Sequence, residues 1–178
     1  GEADVFRVDE STVLKVFKPP THPDLQGFAH EQKAAEERIR VHQKKLKAFP
    51  GGLPPTVIAP IDLAMDQTGQ KIIGYTMRFL KGSEVLMRYS DRKFREAGIS
   101  NEQVCKIFMR MHATYRETHL CKVVFGDNND LNILIIGEEA YIIDADSFQF
   151  GGFYCTVFTE KFVDPLLCSP NESSPMLA

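Results

Sequence analysis

Polar and apolar residues alternate in the first part of the chain and predict short β-strands. Four such runs are bounded by turn residues: 5–8, 12–17, 57–64 and 71–79. The turn at residues 9–11 joins the first two runs into a hairpin. Residues 29–48 lack Pro and Gly and are rich in Ala, Glu, Lys and Arg, which predicts one helix between the strand pairs.

The second part of the chain begins with a longer helical pattern. Apolar residues recur at helical spacing over residues 101–119, and Ser100 with Gln103 forms the capping box that predicts where this helix begins. Three short β-branched runs then predict strands: 122–125, 133–136 and 140–143. This order of elements predicts an α+β fold, because strands and helices do not alternate as in a doubly wound sheet.

Composition and charge narrow the classes of function. The 178 residues carry a net charge of −3, so the chain lacks the basic surplus of a nucleic-acid binder, and we expect no nucleic-acid partner. No apolar run approaches the roughly 20 residues of a membrane helix, so no membrane association is expected. The four cysteines have neither zinc-site nor redox-motif spacing, which predicts free thiols and a cytoplasmic location.

The candidate chemistry lies within residues 123–146. Asn132 follows Asp127 by five positions, and Asp144 follows Asn132 by twelve, each near the end of a short apolar run. Asn and Asp oxygens are ligands that Mg²⁺ prefers, and a further Asp can orient or deprotonate a hydroxyl. We therefore expect the three side chains to converge on one wall of a phosphoryl-transfer site. Taken alone, residues 127–130 are also typical of a turn.

This segment resembles the catalytic and metal-binding loops of protein kinases and their bacterial kinase-like relatives, whose patterns are H-R-D-L-x-x-x-N and D-F-G. The resemblance implies that Asp127 is the catalytic Asp and that Asn132 and Asp144 bind Mg²⁺. Asp146 would be an additional metal ligand. ATP and Mg²⁺ are the implied cofactors.

Other segments follow the family's order along the chain. Residues 12–17 resemble the V-A-I-K strand, which implies that Lys15 holds the nucleotide phosphates, with Lys18 as second choice. The helix at 29–48 would supply the acidic partner of this lysine. Its candidates are Glu36 first, then Glu31 and Glu37.

Residues 74–82 resemble the last strand of the N-lobe running into the hinge. Met77 would be the gatekeeper, and backbone groups would face the adenine from Arg78, Phe79 and Leu80. Residues 163–166 resemble the end of the activation segment.

The chain also departs from the family's pattern. Residues 1–6 keep one glycine where the Gly-rich loop has three, and Phe125-Gly126 replaces His-Arg before the catalytic Asp. A Gly at that position resembles the aminoglycoside-type phosphotransferases. Asn129 stands where protein kinases carry a basic residue.

These observations predict a protein-kinase-like two-lobe fold, with a strand-rich N-lobe at 1–77 and a partial, incomplete C-lobe at 78–178. The predicted function is ATP- and Mg²⁺-dependent phosphoryl transfer to a hydroxyl. A protein, a small molecule and the chain itself all remain open as acceptor. The alternative is a pseudokinase or nucleotide-binding interaction module without turnover.

Because helices that would cover Ile107, Phe108 and Met111 are missing from the pattern, we also expect self-association or an exposed apolar face.

Overall fold

A computed structural model describes residues 2–155 and 159–162, which have mixed α and β structure. The chain forms two compact units. The first comprises Gly1–Phe49 and Ala59–Lys81, and the second comprises Pro50–Ile58 and the residues from Gly82 onward. The single boundary predicted at residue 77 stays a prediction. Residues 57 and 58 group with the second unit because both take part in backbone pairing with Ile142.

The first unit is a four-stranded antiparallel sheet with one helix. Its strands, in the spatial order β1-β2-β4-β3, are β1 (Ala3–Arg7), β2 (Thr12–Phe17), β4 (Ile72–Arg78) and β3 (Leu63–Met65). Helix α1 (Ala29–Lys45) packs on β4, and the Gln43 amide exchanges two hydrogen bonds with the backbone of Ile72, at 2.8 and 2.9 Å. Val13, Lys15 and Phe17 alternate inward from β2, as the period of two predicts.

The predicted hairpin and the bounds of β2 are confirmed, whereas one prediction for the first unit is wrong. Residues 57–64 do not form one strand. Only Leu63–Met65 joins the sheet, and Pro60 has no N–H to offer a ladder. The segment compared with a Gly-rich loop, residues 1–6, is mostly strand, because β1 begins at Ala3.

The second unit packs a three-stranded antiparallel sheet against a long helix. Its strands, in order, are β5 (Glu84–Val85), β6 (Ile133–Ile136) and β7 (Glu139–Ile142). The short helix α2 (Arg92–Glu96) precedes α3 (Asn101–Leu120). The capping box at Ser100 and Gln103 is confirmed, with bonds of 3.1 and 2.9 Å.

The core of this unit lies between α3 and the sheet. It consists of Leu86, Ile107, Met111, Ile133, Ile135 and Ala140. The expectation that Ile107 and Met111 lack cover is therefore wrong, because the strands of the same unit bury both. Phe108, about 60° around α3 from Met111, is 52% exposed. Self-association stays a prediction.

The predicted strand at 122–125 is also wrong. Lys122 has a left-handed backbone with φ 59°, and only Val124 pairs, in an isolated bridge to Gln149. Among the described residues, no helix combines the length and apolar character that crossing a membrane requires.

Candidate functional site

The carboxylate of Asp127 accepts hydrogen bonds on both of its oxygens. Oδ1 accepts from the backbone N and from Oγ1 of Thr159, each at 3.0 Å. Oδ2 accepts from Nδ2 of Asn129 at 3.0 Å and from Nδ2 of Asn132 at 3.4 Å. The half-buried carboxylate is therefore fixed in one orientation by its own loop and by Thr159.

Asn132 lies against Asp127, as the sequence predicted. Its Nδ2 also donates to the backbone O of Asp127 at 2.9 Å. Because the amide N–H groups face Asp127, the amide oxygen of Asn132 is on the side away from that residue. This is the atom that the proposed role as a metal ligand would use.

Asn129 organises the loop and was missed as a functional residue. It is buried, and its Oδ1 accepts from the backbone N of Leu131 and of Asn132 at 2.9 and 3.0 Å. Its Nδ2 donates to Asp127 and, at 3.2 Å, to Oγ1 of Thr159. The tendency of Asn to bond the backbone two or three residues onward was the available signal. The sequence pattern was compared with protein kinases, where a basic residue stands at this position, and this comparison gave Asn129 no role of its own.

Asp144 lies beside the strand end that carries Asn132. Ile143, which precedes it, donates its backbone N–H to the O of Asn132 at 2.9 Å. Asp144 itself has the left-handed conformation, φ 70° and ψ 47°, which is uncommon outside Gly and costs on the order of 1–3 kcal/mol. Ser147 holds this turn by donating its N–H and Oγ–H to the O of Asp144, at 3.0 and 2.8 Å. Asp146, the other predicted metal ligand, is buried.

Gly126 permits a close approach of backbone segments directly before Asp127. A Cβ at this position would lie 2.8 Å from Sγ of Cys155 and still closer to Cβ of Cys155 and to the backbone O of Ser147. Val124 and Gln149 exchange backbone hydrogen bonds at 2.9 and 2.7 Å on one side of this contact. The segment after Asp144 therefore packs directly on the segment that leads to Asp127.

An aromatic cluster packs against the loop that carries Asp127. Phe125 packs between Tyr115 and Phe148, with ring centroids 5.0 and 4.8 Å away. The hydroxyl of Tyr115 donates to Oδ1 of Asn128 at 2.6 Å. Burial raises the pKa of Tyr115 above its usual value, while the bond to Asn128 lowers it by less. Tyr115 thus stays a neutral donor at ordinary pH.

The donor set at Asn132 and Asp144 fits Mg²⁺ chemically. An amide oxygen and a carboxylate are hard ligands, and Mg²⁺ is commonly held by one or two carboxylates together with substrate phosphates. Within residues 2–155 and 159–162, no group of three or more His, Cys, Asp or Glu side chains is placed to hold a metal ion. The assignments of Asn132, Asp144 and Asp146 stay predictions.

Lys15 is buried in the middle of β2, opposite Tyr75 on β4. Its Nζ lies 5.9 Å from the centroid of the Tyr75 ring. Lys18, the second choice, is engaged elsewhere, since its ammonium contacts Asp24 at 2.5 Å and Asp4 at 3.4 Å. The hydrogen bond to Asp24 raises the pKa of Lys18. The phosphate-binding role of Lys15 stays a prediction.

The three acidic candidates on α1 are all exposed. Ala35 and Ile39 mark the buried face, and Glu36 is exposed, about 100° around the helix from Ala35. Glu31 precedes Ala35 by about one turn and is also exposed. Glu37 bonds Arg40 through both oxygens. Exposure therefore does not separate Glu31 from Glu36, and the pairing with Lys15 stays a prediction.

The predicted hinge residues continue from the end of β4. Met77 and Leu80 are buried, and Arg78 is exposed. The backbone N–H of Phe79 donates to the O of Ser11 at 2.6 Å, so this donor is engaged within the first unit. The adenine-facing role of these residues stays a prediction. Residues 163–166, compared with the end of an activation segment, lie outside the described residues.

Comparison with models of known protein families gives no match, and neither does comparison with curated proteins.

Proposed function

We propose that this chain catalyses ATP- and Mg²⁺-dependent phosphoryl transfer to a hydroxyl acceptor, on a protein-kinase-like two-lobe fold. The observation that carries the proposal is the hydrogen-bonded loop of Asp127, Asn129 and Asn132, beside which the backbone turns at Asp144. A carboxylate base next to two metal-binding candidates is the arrangement that such transfer requires.

Each residue has a distinct part in this proposal. Asp127 orients the acceptor hydroxyl and takes up its proton, because its carboxylate is fixed within hydrogen-bond reach of a hydroxyl group. Asn132 and Asp144 would hold Mg²⁺, which supplies charge neutralisation at the nucleotide phosphates when bound. Lys15 would bind those phosphates. The protein contributes mainly position and charge, since phosphoryl transfer needs little covalent help.

One observation favours the alternative, a nucleotide-binding interaction module without turnover. The hairpin turn between β1 and β2 is Asp9-Glu10-Ser11, closed by bonds of 2.7 and 2.9 Å from Ser11 to Asp9. An acidic turn repels phosphate, and the backbone N–H groups of Asp9 and Ser11 are already bonded within the hairpin, unlike those of a Gly-rich loop. Weak phosphate binding by this turn would slow transfer without removing the nucleotide site.

A cytoplasmic location also belongs to the proposal. The cysteines in the described part of the chain, Cys105, Cys121 and Cys155, are free thiols, which is typical of proteins in a reducing compartment.

Calorimetric titration with ATP, with and without Mg²⁺, tests the proposed metal role. We expect Asp144→Asn to weaken ATP binding in Mg²⁺ by about tenfold or more, because a charged ligand is lost, and to change binding little in EDTA. Asp62→Asn is the matched control, since Asp62 is exposed in the first unit. If Mg²⁺ changed the ATP affinity of neither the wild-type chain nor the Asp144→Asn variant, the proposed metal site would be refuted.

A further inference from the structure

The second unit contains a cavity that the proposed reaction does not use. Its volume is about 530 Å³, within the range of sites that bind small molecules, and one side is open to solvent. Its wall is formed by the turn at Leu86–Ser90, helix α3, the loop 128–130, Ile133 and Phe162. The described lining includes neither Asp127 nor Asn132, so a ligand here does not contact the proposed base or its neighbouring metal candidate.

The floor of the cavity is the closed core of the same unit. Leu86, Met111 and Ile133 line the cavity and are all buried, because α3 and the strands already pack on them. The core beneath the cavity therefore does not depend on a further helix for its cover. The cavity is a concave site on top of this core.

Aromatic and thioether side chains form most of the wall above the floor. They are Met87, Tyr89, Phe108, Met111, Tyr115 and Phe162. Aromatic rings attract other rings in offset or edge-on arrangements, and Met sulfur packs favourably against ring edges. A ligand with aromatic rings therefore gains more from this wall than an aliphatic chain of the same size.

The polar groups of the lining indicate where the ligand carries an oxygen and why it lacks a charge. Oδ1 of Asn128 accepts from the hydroxyl of Tyr115 at 2.6 Å, whereas its Nδ2 bonds no other described residue and is left to donate to a ligand. The carboxylate of Asp130 already lies 3.7 Å from the ammonium of Lys161. Burial of a charge against an apolar wall is costly, so the lining favours an uncharged ligand.

We propose that this cavity binds an uncharged aromatic compound of about two rings that carries one hydroxyl or carbonyl oxygen. The rings pack against Tyr89, Tyr115 and Phe162, and the oxygen accepts from Nδ2 of Asn128. Because Asn128 directly follows Asp127, the bound compound stabilises the loop that carries the proposed base and does not compete with the acceptor. The inference does not rest on the proposed function, since binding is measured without nucleotide.

Two probes with the same rings test the class of ligand. One is para-phenylphenol, which belongs to the proposed class, and the other is para-phenylbenzoate, which adds a charge. The purified chain, isotope-labelled at its methionine methyl groups, is titrated with each probe by NMR. We expect para-phenylphenol to shift the methyl signals of Met87 and Met111 with a Kd of about 0.1 mM or tighter, and to leave Met65 in β3 unchanged.

The charged probe should bind at least about tenfold more weakly. Equal affinity for the two probes would overturn the assignment of an uncharged ligand.

A variant that fills the cavity tests the location of binding. Val104 lines the cavity from α3, so Val104→Phe should weaken para-phenylphenol at least about tenfold, because the added ring takes up part of the volume. Met109→Phe is the matched control, since Met109 is 71% exposed on the same helix outside the cavity, and it should leave the Kd unchanged. Equal effects of the two variants would overturn the proposal.

A second variant keeps the test decisive if Val104→Phe lowers the melting temperature too far for titration. Asn128→Leu removes the donor for the ligand oxygen and keeps the size of the side chain. It should weaken para-phenylphenol by about threefold or more, because one hydrogen bond is lost. An unchanged Kd would contradict the role of Asn128.

Other occupants of the cavity give results of their own. Met87 and Met111 signals that move on dilution of the chain without probe would show a second copy seated on the cavity. Through-space contacts from residues 163–178 to these methyl groups would show that the chain's own end fills it. Either result, or no shift with para-phenylphenol at about 1 mM, would overturn the proposal.

Discussion

At the scale of single residues, the site depends on groups that make several contacts at once. Asn129 makes four hydrogen bonds from one buried amide and holds Asp127 and Thr159 together. Residue types and spacing were enough to select Asp127, Asn132 and Asp144. Thr159 could not be selected in this way, because its contact with Asp127 spans 32 positions of sequence. Asn129 had a local signal, since it accepts from the backbone two and three residues onward.

Gly126 provides the residue-scale prediction. Gly126→Ala should lower the free energy of unfolding by about 1–3 kcal/mol, because the new methyl group would overlap Ser147 and Cys155. Denaturant unfolding measures this. Gly152→Ala is the control, since a Cβ there meets nothing within 4 Å and its φ is not positive. Equal stability of the two variants would contradict the close packing before Asp127.

At the scale of elements, local signals predicted α1, α3 and the central strands well, whereas the short helix α2 was not predicted. The start of α3 is set by the Ser100 capping box, and β2 and β6 have their predicted bounds. Ser100→Ala should therefore cost about 1 kcal/mol of stability in thermal or chemical unfolding. In the Gln103→Ala background the cost should be smaller, because the reciprocal bond is already lost. An equal cost in both backgrounds would argue against a cooperative cap.

The elements that were predicted wrongly depend on distant partners. Residues 57–64 have strand-like composition, but residues 57 and 58 pair with Ile142, about 85 positions onward, and this divides the run between two units. The strand β5 has only two residues and exists because β6 lies beside it. No local pattern contains such information. Glu36 is exposed because the burial of Ala35 and Ile39 fixes which face of α1 is turned inward, and Glu36 lies about 100° away from that face.

At the scale of the whole molecule, the proposed function draws on residues from both units. Lys15 belongs to the first unit, and the loop of Asp127 belongs to the second. The mixed α and β composition agrees with the α+β class expected from the sequence. The kinase-like identity of that fold remains a proposal, which a functional measurement tests best.

The most direct measurement compares turnover and ATP binding in Asp127→Asn and in Asp130→Asn. The second variant makes the same chemical change three positions away in the same loop, at a carboxylate 3.7 Å from Lys161. We predict that Asp127→Asn lowers phosphoryl transfer by about 10²–10⁴-fold and leaves ATP affinity nearly unchanged, because Asp127 acts on the acceptor as the transition state forms. Asp130→Asn should keep both. Equal transfer rates in wild type and Asp127→Asn, with ATP still bound, would contradict the account.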